Sequence, residues 1–243
     1  MNTFNETDHP RGGNPNNPGQ FSAKTHKEAE CSLDDYDPLE GLDVDERIEL
    51  AADPNTPVET LTQLSGDEDP YIQWSLAGNP NAPARVLTRL SEDRNSDIRC
   101  KVAGNPHAPK ETLIRLSTDH DPWVRQWVAL NLNAPVETLT RLSEDTNPDV
   151  RRETAKNPTT PAEALTRLSK DKNPLVRFGA TRNPNIPVNA LTWLSKDKVW
   201  WVRQDIPRNP NAPTKMLHQL SEDEDPSVRE SARQALEARA NAN

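Results

Sequence analysis

The sequence predicts an all-α solenoid, made of seven copies of one two-helix unit and capped at both ends. Three observations predict it. Pro57, Pro83, Pro109, Pro135, Pro161, Pro187 and Pro213 stand 26 residues apart without a slip. Leu61, Leu87, Leu113, Leu139, Leu165, Leu191 and Leu217 follow in phase, and so do Leu64, Leu90, Leu116, Leu142, Leu168, Leu194 and Leu220. A single unit, such as "NAPVETLTRLSEDTNPDVRRETAKNP" from Asn133 to Pro158, is too polar to close a core of its own. Copies must therefore bury one another's apolar faces, which is the logic of a solenoid. A hydrophobic fraction of 33%, a mean hydropathy of -0.91 and 23 prolines would otherwise suggest disorder. The regular placement of the apolar residues overrides that reading.

Taken in order, residues 1–34 show no periodicity and many Asn, Gly and Pro, and are expected to be a disordered tail. The tail is also acidic: residues 1–52 carry 12 Asp and Glu against 4 Lys and Arg. Residues 35–243 are expected to form one solenoid. "DVDERIELAADP", residues 43–54, aligns with "DPYIQWSLAGNP" one repeat later and reads as a leading half-repeat. Seven repeats then run from about residue 55 to residue 236. In each, a proline suits the first position of the first helix, where its missing N–H costs nothing. In the unit quoted, Leu139 and Leu142 share one face of that helix. Asn147 caps the second helix, Pro148 fits its first turn, and Val150, Thr154 and Ala155 face inward. Asn157 is expected to end it in a left-handed cap, with Pro158 blocking continuation. The second segment is short enough for 3₁₀ turns as an alternative to α-helix. "DPSVRESARQALEARANAN" lacks the Asn-Pro stop and reads as a capping helix to about residue 240. In unit six, Trp200 replaces the expected proline, and Pro207 should shorten or kink the second helix.

The consensus "NPxxPxxxLxxLSxDxxPxVRxxxAxNP" resembles the leucine-rich repeat variant family over about residues 43–236. That resemblance implies a right-handed superhelix of alternating α- and 3₁₀-type helices, as in these bacterial repeats. The unit is slightly longer than the family's usual repeat, and its second half is similar to the second helix of HEAT repeats. Some members carry a cysteine-rich iron–sulfur segment ahead of the repeats. Only Cys31 stands there, so no iron–sulfur cluster is expected.

No Gly-rich phosphate loop, HExxH or CxxC motif occurs, and the five histidines fall at unrelated positions. The carboxylates recur with the repeat, which argues against a unique acid/base pair. The expectation is therefore no enzyme, no metal and no cofactor. No apolar run reaches the ~18 residues of a membrane helix, and the two cysteines, Cys31 and Cys100, suit a reducing, cytoplasmic setting.

The most regular polar pattern is an Asp–Arg pair six residues apart. It comprises Asp93/Arg99, Asp119/Arg125, Asp145/Arg151, Asp171/Arg177, Asp197/Arg203 and Asp223/Arg229. One carboxylate per arginine suits a structural ladder tying loops to helices better than an arginine ladder for phosphates. Gln73 stands where the first arginine is missing.

Function is sought where the units differ. One face of the second helices collects Tyr71, Trp74, Lys101, Trp123, Trp127, Arg152, Lys156, Phe178, Arg182, Trp201 and Arg208. If these helices line the inner curve, as in HEAT stacks, the strip lies in a groove suited to a protein or peptide partner. The competing reading is that the aromatics only fill gaps between short helices. Nucleic acid is the alternative partner, through tryptophan stacking and the basic run 157–208, where 9 Lys and Arg face 4 Asp and Glu. Global acidity, a net charge of -9, argues against it.

Overall fold

The structure is a computed structural model, and it describes residues 37–241. The tail 1–34 and Cys31 lie outside these residues. The chain divides into Met1–Pro38 and Leu39–Asn243, and every helix described belongs to the second unit. α1 (Val44–Ala52) leads the array. Seven pairs follow: α2 (Val58–Leu64) with α3 (Pro70–Gly78), α4 (Ala84–Leu90) with α5 (Ser96–Gly104), α6 (Lys110–Leu116) with α7 (Pro122–Leu130), and α8 (Val136–Leu142) with α9 (Pro148–Lys156). The last three are α10 (Ala162–Leu168) with α11 (Pro174–Thr181), α12 (Val188–Leu194) with α13 (Trp200–Asp205), and α14 (Thr214–Leu220) with α15 (Pro226–Asn241). No strand occurs among the described residues. The molecule is thus an α-solenoid of two-helix repeats.

Three local details differ from the sequence reading. The proline opening each first helix is the N-cap, not the first helical residue; Pro135, with φ -58 and ψ 147, is representative. Its carbonyl still accepts the first helical bond, from the Leu139 amide at 3.0 Å. Both helices of every unit are α-helical, where the family resemblance implied alternating α and 3₁₀. Among the described residues the one 3₁₀ turn is Ile206–Arg208, after α13. Pro207 causes it, because a proline nitrogen cannot donate to the fourth carbonyl back.

Asn157 is not left-handed either. Its backbone is extended, φ -64 and ψ 121, and no non-glycine residue described has positive φ. Its side chain is used between units instead. Nδ2 of Asn157 donates to the Ala129 carbonyl at 2.7 Å and the Asn131 carbonyl at 3.0 Å, in the preceding repeat. Asn79, Asn105, Asn131, Asn183 and Asn209 each repeat this pair of bonds. All six are buried. Each bridges two carbonyls at the previous helix end; the cap carbonyl also accepts a backbone amide three residues on, while the helix-end carbonyl has the asparagine as its donor.

The in-phase leucines are buried at the centre. The buried apolar residues form two contiguous clusters, one running to Val150 and the other starting at Ala155. They meet at α9, where Thr154 is fully buried and bonds the Val150 carbonyl at 2.9 Å. Successive second helices pack directly on one another, α3 on α5, α5 on α7, and so on to α15. This layer places the variable residues of neighbouring units side by side.

Candidate functional site

The arginine of each second helix points along the stack. Arg99 Nε and Nη2 donate to both carboxylate oxygens of Asp119, in the next unit, at 2.7 and 3.0 Å. Its Nη1 donates to the backbone carbonyls of Asp93 and Arg94, in its own loop. The same geometry joins Arg125 to Asp145, Arg151 to Asp171, Arg177 to Asp197 and Arg203 to Asp223. The side-chain partner is therefore the aspartate 20 residues on, and the aspartate six residues back contributes only its carbonyl. Asp93 instead accepts from the Asn95 amide at 2.7 Å. Gln73 keeps the carbonyl bond, to Asp67 at 2.8 Å, and Arg47 of α1 supplies the ion pair to Asp67 at 2.6 Å. Arg229, in the last unit, bonds the Asp223 and Glu224 carbonyls.

These groups titrate accordingly. Burial pushes the carboxyls of Asp119, Asp145, Asp171, Asp197 and Asp223 up. The arginine hydrogen bond, a backbone amide and the arginine charge outweigh burial and hold each below the ordinary carboxylate value.

On the first helices a second series of arginines reaches back. Arg115 donates to the Thr88 carbonyl at 3.0 Å and to the Ser91 hydroxyl, and pairs with Glu92. Arg141 and Arg167 bond Ser117 and Ser143 in the same way. Trp193 takes this place in unit six and is 60% exposed. The Lys170 ammonium lies 4.5 Å from the centre of its ring, so a cation–π contact stands where other units have an ion pair. Sequence reasoning missed Trp193 because it lies on the helix that carries no other aromatic.

The strip on the second helices divides in two. In the first three units its aromatics face solvent: Tyr71 is 70% exposed and Trp123 63%, and Trp74 and Trp127 are also exposed. Leu130 and Leu132 extend the patch beyond Trp127. Between Trp74 of α3 and Trp127 of α7 lies a cleft of about 320 Å³, floored by Cys100 and Gly104 of α5 and edged by Asp97 and Lys101. The Lys101 ammonium sits 3.9 Å from the centre of the Trp74 ring. Gly104 lets the Trp127 indole lie against α5; a Cβ there would meet Trp127 Cε3 at 2.9 Å.

In units four to six the strip is closed by internal contacts. Phe178 and Trp201 meet edge to face at 5.4 Å and pack against the core. Arg182 lies 4.4 Å over the Phe178 ring. Arg152 pairs with Asp149 and Glu153, and Lys156 with Glu153. Arg182 and Arg208 share Asp205. Glu153 and Asp205 are 6% and 5% exposed, so each is a buried acid held by two cations. All five arginines of the basic run 157–208 (Arg167, Arg177, Arg182, Arg203 and Arg208) are in ion pairs. In sequence these cations read as a basic surface, because the ion pairs that neutralise them, within units and between them, show only in the fold.

Cys100 is a free thiol, half-buried. Burial pushes its pKa up, and the nearby charges of Asp121 and Asp97 add to this, to about 11. It is held as the neutral thiol, which is the unreactive form. Among the described residues no cluster of His, Cys, Asp or Glu is arranged to hold a metal ion. None of their helices is long and apolar enough to cross a membrane.

No family model matches the chain, and no curated protein does. Solved structures do. One is a leucine-rich repeat variant described as having a novel repetitive structural motif: TM-score 0.56, 28% identity, covering 78% of this chain and 80% of that one. An engineered protein is 19% identical at TM-score 0.35, over 79% of this chain and 95% of its own. A designed armadillo repeat protein is 14% identical at TM-score 0.35, over 81% and 99%. The last two superpose too loosely to inform the site. The resemblance to the leucine-rich repeat variant family, read from the Asn-Pro, Leu-x-x-Leu and Val-Arg elements, thus holds in three dimensions.

Proposed function

We propose that this chain is a non-catalytic interaction scaffold of a reducing, cytoplasmic setting. It binds a protein or peptide partner through the second-helix face of its first three units. One observation carries the reading. Tyr71, Trp74, Trp123 and Trp127 form an exposed aromatic set. Large aromatics in water are the residue types that dominate binding interfaces. Units four to six use the equivalent strip positions for packing and ion pairs, so the first three units differ in what this strip leaves open, although Trp193 and Trp200 of unit six are exposed elsewhere.

The nucleic-acid alternative draws less support, because the arginines that suggested it are already bonded to carboxylates. The test compares the full chain with a Tyr71→Ala, Trp123→Ala variant in affinity capture from the native host. Both side chains are solvent-facing, so the variant should keep its helical circular dichroism and its melting temperature while losing the partner. Capture that survives the double substitution sinks this reading. Retention of single-stranded DNA or RNA at low salt, lost steeply as salt rises, would favour the alternative.

A further inference from the structure

The cleft between Trp74 and Trp127 has a chemistry of its own. Its walls are two indoles, whose faces attract cations. Its floor carries only the small Cys100 side chain, since Gly78 and Gly104 occupy the position filled by Leu130, Lys156, Arg182 and Arg208 in later units. The volume, about 320 Å³, suits one long side chain with its flanking backbone. The charge around it is negative. The second-helix segments 67–78, 93–104 and 119–130 hold 7 acidic and 4 basic residues. Of these, Arg99 and Arg125 are spent in the ladder, as are Asp67 and Asp119, which leaves 5 acidic and 2 basic residues. The equivalent segments of the next three units, 145–156, 171–182 and 197–208, hold 6 acidic and 9 basic residues. The field therefore changes sign along the stack, and the exposed aromatics of the strip lie in its negative half; Trp193 and Trp200 lie exposed in the other, off the strip.

One cation already uses the site. Lys101 covers the Trp74 ring at 3.9 Å, which shows that the ring face is accessible to an ammonium from the cleft side. A flexible lysine is a weak occupant, because it gives up solvation and rotamer freedom for one contact.

We propose that this cleft binds an arginine side chain of the partner. The guanidinium stacks on the indole of Trp74, donates to the Asp97 carboxylate, and displaces Lys101 into solvent. This rests on the reading that the aromatic face binds a protein or peptide, and names the residue type it recognises. Arginine fits better than lysine because a planar guanidinium stacks and donates in its own plane at once. Lys101 then opposes binding, both as a competitor and as a like charge, while Asp97 favours it.

The experiment uses the full chain and three fluorescein-labelled nonapeptides, identical Gly-Ser sequences with a central Arg, Leu or Glu. Fluorescence anisotropy is read with wild type, Trp74→Ala, Asp97→Asn and Lys101→Ala. The Arg peptide should bind best. Trp74→Ala and Asp97→Asn should each weaken it by roughly 3- to 20-fold, and Lys101→Ala should strengthen it by roughly 2- to 5-fold. All three variants should melt within a few degrees of wild type, since each changes an exposed or half-exposed side chain. Preference for the Glu peptide, with Lys101→Ala weakening it, overturns the proposal in favour of an anionic residue. Preference for the Leu peptide, with no response to either charge change, overturns it in favour of an apolar one. In both cases the binding face stands. If no peptide binds and the double variant above still captures its partner, the face itself is wrong.

Discussion

A single residue type does more for this fold than its sequence position suggests. Each buried asparagine closes one helix with its backbone and joins two units with its side chain. Asn131 Nδ2 donates to the Ala103 and Asn105 carbonyls at 2.8 and 2.9 Å, and its Oδ1 accepts from the Asn133 amide at 2.8 Å. Removing the amide leaves the buried Ala103 carbonyl without a donor and the Asn105 carbonyl with only the Ala108 amide, at 3.1 Å. Asn131→Ala should therefore cost about 1–3 kcal/mol, read as a fall in the urea midpoint. Asn133→Ala, which loses one exposed bond to the Pro106 carbonyl, should cost less than about 1 kcal/mol. Equal effects would remove the inter-unit role. The Asn-Pro pair was legible as a helix stop. Its reach of 26 and 28 residues was not, because a bond to the neighbouring unit leaves no mark in the pattern of one unit. The same holds for the arginine ladder: Asp and Arg six apart is visible in sequence, while the true partner 20 residues on becomes visible only when units are stacked.

At the scale of the element, the layer of second helices sets what each unit may carry. Gly179 of α11 faces α9 so closely that a Cβ would meet the Arg152 carbonyl oxygen at 2.9 Å and Ala155 Cβ at 3.3 Å. A backbone oxygen cannot swing aside, so Gly179→Ala must push two helices apart, costing about 1–3 kcal/mol despite the better helix propensity of alanine. Gly104→Ala meets the Trp127 ring, a half-exposed side chain rather than backbone. It should change stability by less than about 1 kcal/mol and shift the tryptophan emission instead. Chemical denaturation of both variants separates the cases, and a stable Gly179→Ala protein would contradict the close approach. Sequence alone shows two glycines inside helices and offers no reason to rank them. It likewise identified the aromatics of the strip but not their split. Whether Trp123 lies in water and Trp201 on Phe178 depends on what the adjacent helix presents, and each unit has a different neighbour.

For the whole molecule, the repeat made the fold readable, since one period repeated in phase fixes helix count, connection and packing logic together. The repeat also multiplies one electrostatic element. Five aspartates, in five successive units, have pKa values held below the ordinary range by their arginines. In the unfolded chain they return to about 3.9. The unfolded state therefore binds protons first as pH falls, and stability must fall with it. The contribution of the five pairs is complete above the ordinary carboxylate range, and is lost as pH drops through the lower values of the folded state. The arginines stay charged throughout, so nothing opposes this loss. The melting temperature should be nearly flat from about pH 5 to pH 8 and fall steeply below about pH 4. Other carboxylates contribute to any acid transition, so the ladder is isolated by Asp145→Asn. That variant should be less stable than wild type at pH 6, where the pair to Arg125 is intact in wild type. The gap should narrow as pH falls towards about 2, where the wild-type carboxylate is also neutral. A gap that stays constant across this range would mean that the ladder's charge contributes nothing, and that the two oxygens of Asp145 serve only as hydrogen-bond acceptors.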